Sequence, residues 1–505
     1  MHKLSIDSDS VSKRFSISLV FNILRGVLTL TTSIVLARSL GPDDFGRMAF
    51  LLASFTAFKS VMDMYSSHAF FTFLSKETRS RNFVSIYWCW MAFQLIFSLI
   101  LVSLLLPSSF VANIWHNENR LLVILALSAT FFQQSAWQVA CQMAEANRST
   151  IAMQKLGFCI VLSHLLFILF LNYFDQLTLT IIFIGVTIEW GIGTYFAASM
   201  YQASGDKNDS LSSVLGEFWV YCKPLIPLAW LAFLYEFLDR WMLQLWGGSK
   251  EQAYYAVASN FMVIILLATT SVIRVFWKES AEDYHQGNMD KMYRLYQKTT
   301  RLLYFIGAFL AGSCIPWSSE ILAIAVGDEY VDGNITFMLM LLFPVHQSLG
   351  HVSGVVLFAT EKSKVQTILG SGFMIISMFV AYYVLAPSDA VIPGLSLGSE
   401  GLAWKMLVMQ FIQVNVVGYV VARIFNWKYK WVYQFYILGG AIFIGYSSKF
   451  LMSLFIPSLY ISFVLCFMFY FLIVALLLYM FPSQISGITK QELNGYLSKV
   501  AFIRS

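Results

Sequence analysis

Charged residues are scarce in this chain. Asp, Glu, Lys and Arg make up 12% of its 505 residues, whereas hydrophobic residues make up 58%. Soluble domains contain about 25% charged residues, so this composition excludes an ordinary soluble protein. Apolar runs of roughly 20 residues, the length that spans a bilayer, recur from end to end. The sequence therefore predicts an all-α, polytopic membrane protein.

Three sequence motifs are absent, and each absence excludes a class of site or processing. No C-x-x-C pair occurs among the six cysteines, which all fall in apolar runs, so we expect neither a disulfide framework nor a metal site. No G-x-x-x-x-G-K-[ST] motif is present, which excludes ATP hydrolysis on motif grounds. No small-residue cleavage site follows the first apolar run, so we interpret that run as a retained helix.

The apolar runs predict about fourteen transmembrane helices, and this even number places both termini on one side. Roughly 23 of the 33 Lys and Arg residues lie on the side of the termini and about four on the other. Both termini are therefore predicted to be cytoplasmic. The predicted spans are residues 15–37, 46–73, 83–106, 121–144, 151–172, 177–201, 218–246, 253–276, 299–317, 335–358, 364–386, 400–423, 432–453 and 457–481.

A similarity between two turns indicates an internal repeat. "LGPDDFGRMAF" follows the first predicted helix and "GGSKEQAYYAV" follows the seventh, with Gly41 and Gly248 in matching positions. A repeat of six helices gives two lobes related by an axis along the membrane normal. We therefore expect two six-helix lobes around a central cavity, followed by two extra helices and a cytoplasmic tail. The predicted boundaries are 1–201, 202–424 and 425–505.

Three stretches resemble a known family: "LARSLGPDDFGRMAFLLASF", "LDRWMLQLWGGSKEQAYYAVA" and "AVGDEYVDG". They are similar to the O-antigen and polysaccharide-unit flippases of the multidrug/oligosaccharidyl-lipid/polysaccharide exporter superfamily. The resemblance implies a bacterial inner-membrane protein, not an enzyme, that moves undecaprenyl-diphosphate-linked oligosaccharides from the cytoplasmic to the periplasmic leaflet. It implies alternating access coupled to H⁺ or Na⁺, without another cofactor. The expected partners are membrane lipids and other polysaccharide-assembly proteins, and no nucleic acid is expected.

Two alternatives stay open at this point. A multidrug or cation antiporter of the same superfamily usually has twelve helices and an acidic cavity, so the extra helix pair and the buried basic residues argue against it. A membrane glycan polymerase or ligase would need a substantial periplasmic loop that carries catalytic residues. The predicted loops on that side are short, which argues against an enzyme.

Buried basic residues are the candidates for binding the diphosphate. A charge in the middle of a membrane is disfavoured by about 3 kcal/mol or more, and it normally faces an internal cavity. We expect Arg25, Lys59 and Arg274 to line one cationic cavity, where arginine pairs bidentately with phosphate oxygens. In the related lipid II flippases, helices 1, 2 and 8 carry cavity arginines. The alternatives are that Arg25 bonds to neighbouring helices, that Lys59 pairs with Asp63, and that Arg274 snorkels to the interface.

Carboxylates in apolar helices are the candidates for ion coupling. In helix 7, Glu236 and Arg240 are spaced i, i+4 and can neutralise each other. Asp239 is then the remaining carboxylate and the predicted H⁺ or Na⁺ site, with a structural salt bridge as the alternative. Glu189 in helix 6 is a rival coupling site, and Asp63 in helix 2 is a third.

Amide and imidazole side chains are the candidates for contacting the sugar. Buried amides are disfavoured without partners, so they either bond between helices or line a wet cavity. As a set, we expect them to bind sugar hydroxyls. They are Gln134, Gln138 and Gln142 at i, i+4 and i+8 of helix 4, and Gln347 and His351 at i and i+4 of helix 10, with His346 on an adjacent face.

Overall fold

The computed structural model describes residues 11–147, 149–201 and 209–495, and within them the chain is helical and contains no strand. This confirms the predicted all-α class. The helices are α1 (Val11–Asp63), α2 (Ser66–Lys76), α3 (Arg81–Ile100), α4 (Ser108–Ile114), α5 (Arg120–Thr130), α6 (Trp137–Ala146), α7 (Thr150–Tyr173), α8 (Leu179–Ser199), α9 (Leu211–Cys222), α10 (Ile226–His285), α11 (Met289–Cys314), α12 (Ser318–Ala325), α13 (Asn334–Ala359), α14 (Ser363–Leu385), α15 (Gly398–Ile424), α16 (Tyr433–Phe455), α17 (Leu459–Met480) and α18 (Pro482–Ile485).

The predicted count of fourteen spans is not confirmed. In the part of the chain that the structure describes, twelve helices are long and apolar enough to cross a membrane. Two of them, Ile17–Asp63 with 47 residues and Leu211–Val263 with 53, are exceptionally long. A helix of 47 residues extends roughly 70 Å, more than twice the ~30 Å hydrocarbon core. Each of these two helices is therefore long enough to cross twice, and each contains a break.

The breaks in α1 and α10 occur at the two glycines that the sequence alignment matched. Gly41 has φ 71° and ψ 171°, and Gly248 has φ 79° and ψ −175°. Positive φ is readily accessible only to glycine because it has no Cβ. The two turns therefore share one backbone conformation, which supports the internal repeat. Close by, a Cβ on Gly46 would lie 1.8 Å from the carbonyl oxygen of Ser249, so only glycine permits this approach.

Contacts divide the chain into two compact units. The first ends at Ala253 and includes Leu385–Pro387, and the second contains Tyr254–Val384 and the residues from Ser388 onward. In the first unit α1 packs against α5 and α7, and α8 packs against α5, α6 and α7. In the second unit α13 packs against α11 and α15, and α16 packs against α11 and α17. The predicted lobe boundaries at 201/202 and 424/425 stay predictions.

Helix α9 is held in the first unit by a buried arginine. Arg79, in the connection between α2 and α3, is 7% exposed and donates to Glu217 of α9 at 2.8 Å. Its second guanidinium nitrogen lies 3.8 Å from Asp209, just before α9. The guanidinium also lies 4.8 Å from the centre of the Phe83 ring. Because a buried charge requires partners, this group of contacts fixes α9 against α2 and α3.

Candidate functional site

A cavity of about 330 Å³ lies in the first unit, among helices that the composition places in the membrane. The end of α1, the start of α2, the segment from α5 to α6 and the first part of α10 form its walls. Polar and charged side chains are energetically unfavourable inside a membrane and there indicate a functional cavity, so this is the candidate site. The polar lining residues are Thr56, Lys59, Ser60, Asp63, Tyr65, Ser67, His68, Gln134, Gln138 and Glu236.

A break in the second predicted span shapes this cavity. The sequence predicts one helix over 46–73, but Met64 and Tyr65 have φ 43° and 64°, in the left-handed region that non-glycine residues rarely adopt. The Asp63 carboxylate accepts hydrogen bonds from the Ser67 N–H at 2.9 Å and the Ser67 hydroxyl at 2.8 Å. It also accepts from the Ser66 hydroxyl at 3.0 Å. The first N–H groups of a helix have no acceptor within the helix, and at the start of α2 the Asp63 carboxylate accepts the hydrogen bond of the Ser67 N–H.

Lys59 is hydrogen-bonded to the wall opposite α1. Its Nζ donates to Gln138 Oε1 at 2.6 Å and lies 3.5 Å from the backbone carbonyl oxygen of Gln134. The Gln134 side-chain amide donates to the Thr56 hydroxyl at 2.9 Å. Phe131–Ala136 is a π-helical segment, and such segments often occur at functional sites. Lys59 and Asp63 therefore have separate partners instead of forming the predicted alternative pair.

The charges that line the cavity are of both signs. Lys59 interacts electrostatically with Asp63 and with Glu236, which stands on α10. The sequence predicts a cationic cavity formed by Arg25, Lys59 and Arg274. Of the two whose side chains the structure describes, Lys59 lines this cavity and Arg25 does not. One ammonium, two carboxylates and two amides instead form a surface suited to hydroxyl groups, which both donate and accept hydrogen bonds.

Arg25 is in contact with α7 and is not among the residues that line this cavity. A Cβ on Gly157 of α7 would lie 2.8 Å from Arg25 Nη1 and 3.2 Å from the Trp137 ring, so the guanidinium occupies the space that this glycine leaves. Arg25 Nη2 also donates to the Asn22 side chain, and its Nε is buried without a hydrogen bond. Binding of the diphosphate by Arg25 stays a prediction. The Arg274 side chain lies outside the described residues.

The two carboxylates of helix 7 lie in different surroundings. Asp239 is buried, with 7% of its surface exposed, and takes part in an interaction. Glu236 instead lines the cavity. Arg240 Nη1 donates to Gln252 Oε1 at 3.4 Å. The coupling role of Asp239 stays a prediction.

Glu189 has a partner that the sequence analysis missed. His164 Nδ1 of α7 lies 2.7 Å from Glu189 Oε2 of α8, and the two side chains are 13% and 18% exposed. Each residue is the lone ionisable group in the middle of an apolar helix, "VLSHLLF" and "VTIEWGI". That shared depth on successive antiparallel helices is the signal that could have revealed the pair.

The predicted sugar contacts are divided between the two units. Gln134 and Gln138 line the cavity, but Gln142 does not, and its Oε1 is buried without a hydrogen bond. Eight residues of α-helix drift by about 80°, which turns Gln142 away from the wall. Gln347 and His351 belong to α13 in the second unit, where Gln347 Oε1 and His351 Nδ1 are buried without hydrogen bonds.

His346 is also in the second unit, and it is packed among aromatic rings. The centre of its ring lies 5.7 Å from that of Tyr304 and 5.1 Å from that of Phe411. The sequence analysis missed two charged groups in this unit. Lys405 of α15 is 1% exposed and has a partner. Lys449 of α16 pairs with Glu320. Lys449 is the only charge in the predicted span 432–453, and Lys405 is the only charge between Glu400 and Arg423 at the two ends of the span 400–423. This isolation was the available signal.

Comparison with protein families adds a sequence relationship. The profile of a family described as "Polysaccharide biosynthesis protein" matches residues 35–333. One relative is "Capsular polysaccharide biosynthesis protein CapF" of Staphylococcus aureus, which is 22% identical over 431 residues. The alignment covers 82% of this chain and all of that protein.

Solved structures establish the fold. The chain resembles "Lipid II flippase MurJ, inward closed conformation" with a TM-score of 0.69 and 12% identity, over 92% of this chain and 98% of that one. An inward-facing multidrug resistance MATE transporter of the MOP superfamily gives a TM-score of 0.58 and 12% identity, over 82% and 99%. A MOP superfamily transporter from Pyrococcus furiosus gives 0.52 and 10%, over 82% and 96%. The fold is therefore that of the MOP transporters.

Proposed function

Because this chain belongs to the family of polysaccharide biosynthesis proteins, we propose that it is a flippase for undecaprenyl-diphosphate-linked oligosaccharides. It moves them from the cytoplasmic to the periplasmic leaflet of a bacterial inner membrane and performs no covalent chemistry on them. One relative is named for capsular polysaccharide biosynthesis and one structural neighbour for flipping lipid II. Both names fit a lipid-linked saccharide as the substrate.

The single observation that carries the proposal is the polar cavity around Lys59. A saccharide cannot enter the bilayer interior without losing its hydrogen bonds to water, which costs several kcal/mol for each unpaired group. Gln134 and Gln138 supply amide donors and acceptors, and Glu236 supplies carboxylate acceptors. We assign these three residues to the sugar.

Lys59 is the proposed ligand for the diphosphate. Lysine binds phosphate as a point charge and can exchange its Gln138 partner for a phosphate oxygen when the substrate enters. Arg25 and Arg274 stay predicted ligands that would act in addition. The cation antiporter is less well supported, because Asp63 is committed to the start of α2 and Lys59 balances the charge of Glu236.

For coupling, we assign the proton to the pair of His164 and Glu189. A histidine paired with a carboxylate inside membrane-spanning helices is an arrangement that proton relays in pumps and transporters use. Both groups are largely shielded from solvent, so a change in their joint charge alters the energy of the surrounding helices. Asp63 is a weaker candidate because its carboxylate is hydrogen-bonded to Ser66 and Ser67 at the start of α2, and the coupling role of Asp239 stays a prediction.

Reconstituted vesicles provide the test. Purified protein is inserted into liposomes with an undecaprenyl-diphosphate-linked disaccharide that carries a fluorophore, and a membrane-impermeant reductant quenches the outer leaflet. The protein is expected to expose nearly all the fluorophore, whereas protein-free vesicles keep the inner half protected. Failure to flip this lipid together with uptake of a cationic dye would assign the chain to the antiporters instead.

A further inference from the structure

A second pocket, of about 290 Å³, lies beside the polar cavity, and its walls are almost entirely apolar. Helices α3 and α9 form it, together with the break after α1. Asp63 lines both the polar cavity and this pocket, so only the width of the helix break separates them. The side chains that the argument uses are Ile86, Trp90, Leu215, Phe218 and Trp219.

Four polar side chains in the walls of this pocket, those of Asp63, Ser66, Tyr87 and Trp90, are linked by hydrogen bonds. The Trp90 indole N–H donates to the Ser66 hydroxyl at 3.2 Å, and the Tyr87 hydroxyl lies 3.3 Å from the same oxygen. Ser66 in turn donates to Asp63 at 3.0 Å. Because these atoms have partners, the pocket presents carbon to its occupant. An apolar cavity of this kind stays dry and accepts apolar ligands.

The pocket is preformed and open at the side. Phe218 stacks on Tyr87, with ring centres 5.5 Å apart, and α9 is fixed by the contacts of Arg79. Leu215 and Trp219 at the rim are 51% and 59% exposed. A chain can therefore enter from the lipid without any rearrangement of the walls.

We infer that this pocket holds the first isoprene units of the polyprenyl chain while the saccharide occupies the polar cavity. The inference rests on the proposed function. An amphiphile with a saccharide head needs a polar site and an apolar site side by side, and the structure places the two at the same helix break. An apolar cavity of about 150 Å³ binds one benzene, so a pocket of about twice that volume has room for about two isoprene units.

The pocket positions the chain more than it adds affinity. A polyprenyl chain that leaves lipid for this pocket moves between two apolar surroundings, so its transfer gains little free energy. What the pocket fixes is the point at which the chain leaves the head group. This holds the diphosphate at the helix break, within reach of Lys59.

Photo-crosslinking tests the inference. The probe is undecaprenyl phosphate with a diazirine on the second isoprene unit from the phosphate, added to the full-length protein in nanodiscs. Cross-links are expected on peptides from α3 and α9. Leu215→Trp fills the pocket, and Val220→Trp is the matched control, because Val220 is a 76% exposed apolar residue of the same helix outside the pocket.

Leu215→Trp is expected to lower the cross-link yield at least about fivefold, since overpacking costs about 1 kcal/mol or more. Val220→Trp is expected to leave the yield unchanged, and thermal unfolding of both variants checks that they fold. Cross-links on other helices, an equal loss in Val220→Trp, or displacement of the probe by excess phosphatidylglycerol would each overturn the inference. If the unmodified protein flips the labelled disaccharide lipid but gives no such cross-links, the role of the pocket is refuted and the proposed function stands. If it gives the cross-links but does not flip the lipid, the proposed function is refuted and binding of the polyprenyl chain stands.

Discussion

Among the side chains that the structure describes, Lys59 is the one lysine or arginine that lines the cavity. Replacing it by glutamine removes the charge and keeps a side chain able to bond with Gln138. A charge-assisted hydrogen bond contributes about 1.5–3 kcal/mol, which corresponds to roughly a 10- to 150-fold loss of affinity for the diphosphate. Glutamine keeps a hydrogen-bond donor for the Gln138 side chain, so the wall of the cavity is expected to stay intact. Lys59→Gln is therefore expected to bind the substrate weakly while it accumulates normally in the membrane.

The mixed charge of the cavity sharpens this prediction. In Lys59→Gln the Glu236 carboxylate loses its cation and repels the diphosphate, so part of the loss belongs to Glu236. The double variant Lys59→Gln/Glu236→Gln removes that repulsion and is expected to recover part of the affinity. Side chains that share a site couple by about 0.5–3 kcal/mol, so this recovery is measurable.

The assay is the vesicle experiment with the fluorophore-labelled disaccharide lipid, with rates divided by the amount of protein inserted. Lys278→Gln is the control, since its side chain is 79% exposed at the end of α10. Lys278→Gln should flip at the rate of the unmodified protein. If Lys59→Gln flips the lipid at the same rate as the unmodified protein, both at saturating and at low substrate concentration, the role of Lys59 is refuted. A double variant that binds the substrate no more tightly than Lys59→Gln would refute the repulsion by Glu236.

Four further changes test other parts of the protein. Glu189→Gln is expected to abolish flipping driven by an imposed proton gradient and to keep substrate binding, whereas gradient-driven flipping at the normal rate would contradict the coupling role. Arg79→Gln is expected to lower the free energy of unfolding by about 1.5–3 kcal/mol, seen as a lower unfolding temperature in detergent, and exposed Arg81→Gln should not. Arg25→Ala should lower flipping per molecule at a normal membrane level; normal flipping at a reduced level would assign Arg25 to helix packing. A cysteine at Ser363 should resist an impermeant thiol reagent added outside, and its labelling would reverse the predicted orientation.

Composition and local pattern were sufficient for the helical class and for part of the cavity. Lys59, Gln134 and Gln138 meet because helical spacing keeps Gln134 and Gln138 on neighbouring faces. Gly41 and Gly248 could be matched because their positive φ angles require glycine. The count of fourteen spans stays unconfirmed, because the two longest apolar helices each contain a glycine break and are long enough to cross the membrane twice.

The other features depend on tertiary structure. Asp239 and Glu236 are three residues apart, so they stand only about 60° apart around α10, and a small rotation decides which one faces the cavity. Asp63 can bond to the start of α2 because Met64 and Tyr65 adopt left-handed φ angles. No glycine or proline stands at these positions to predict such a break. The pair of His164 and Glu189 exists only because α7 packs against α8.

The close approach at Gly46 makes that position a determinant of conformational populations. A transporter works only if its conformations are close in free energy, and a few kcal/mol decide their ratio. A Cβ at position 46 would lie 1.8 Å from the Ser249 carbonyl oxygen, so any side chain there penalises every conformation that contains this contact and leaves the others unaffected. A single added carbon atom at this turn can therefore change the populations of the transporter's conformations, without altering any residue that contacts the substrate.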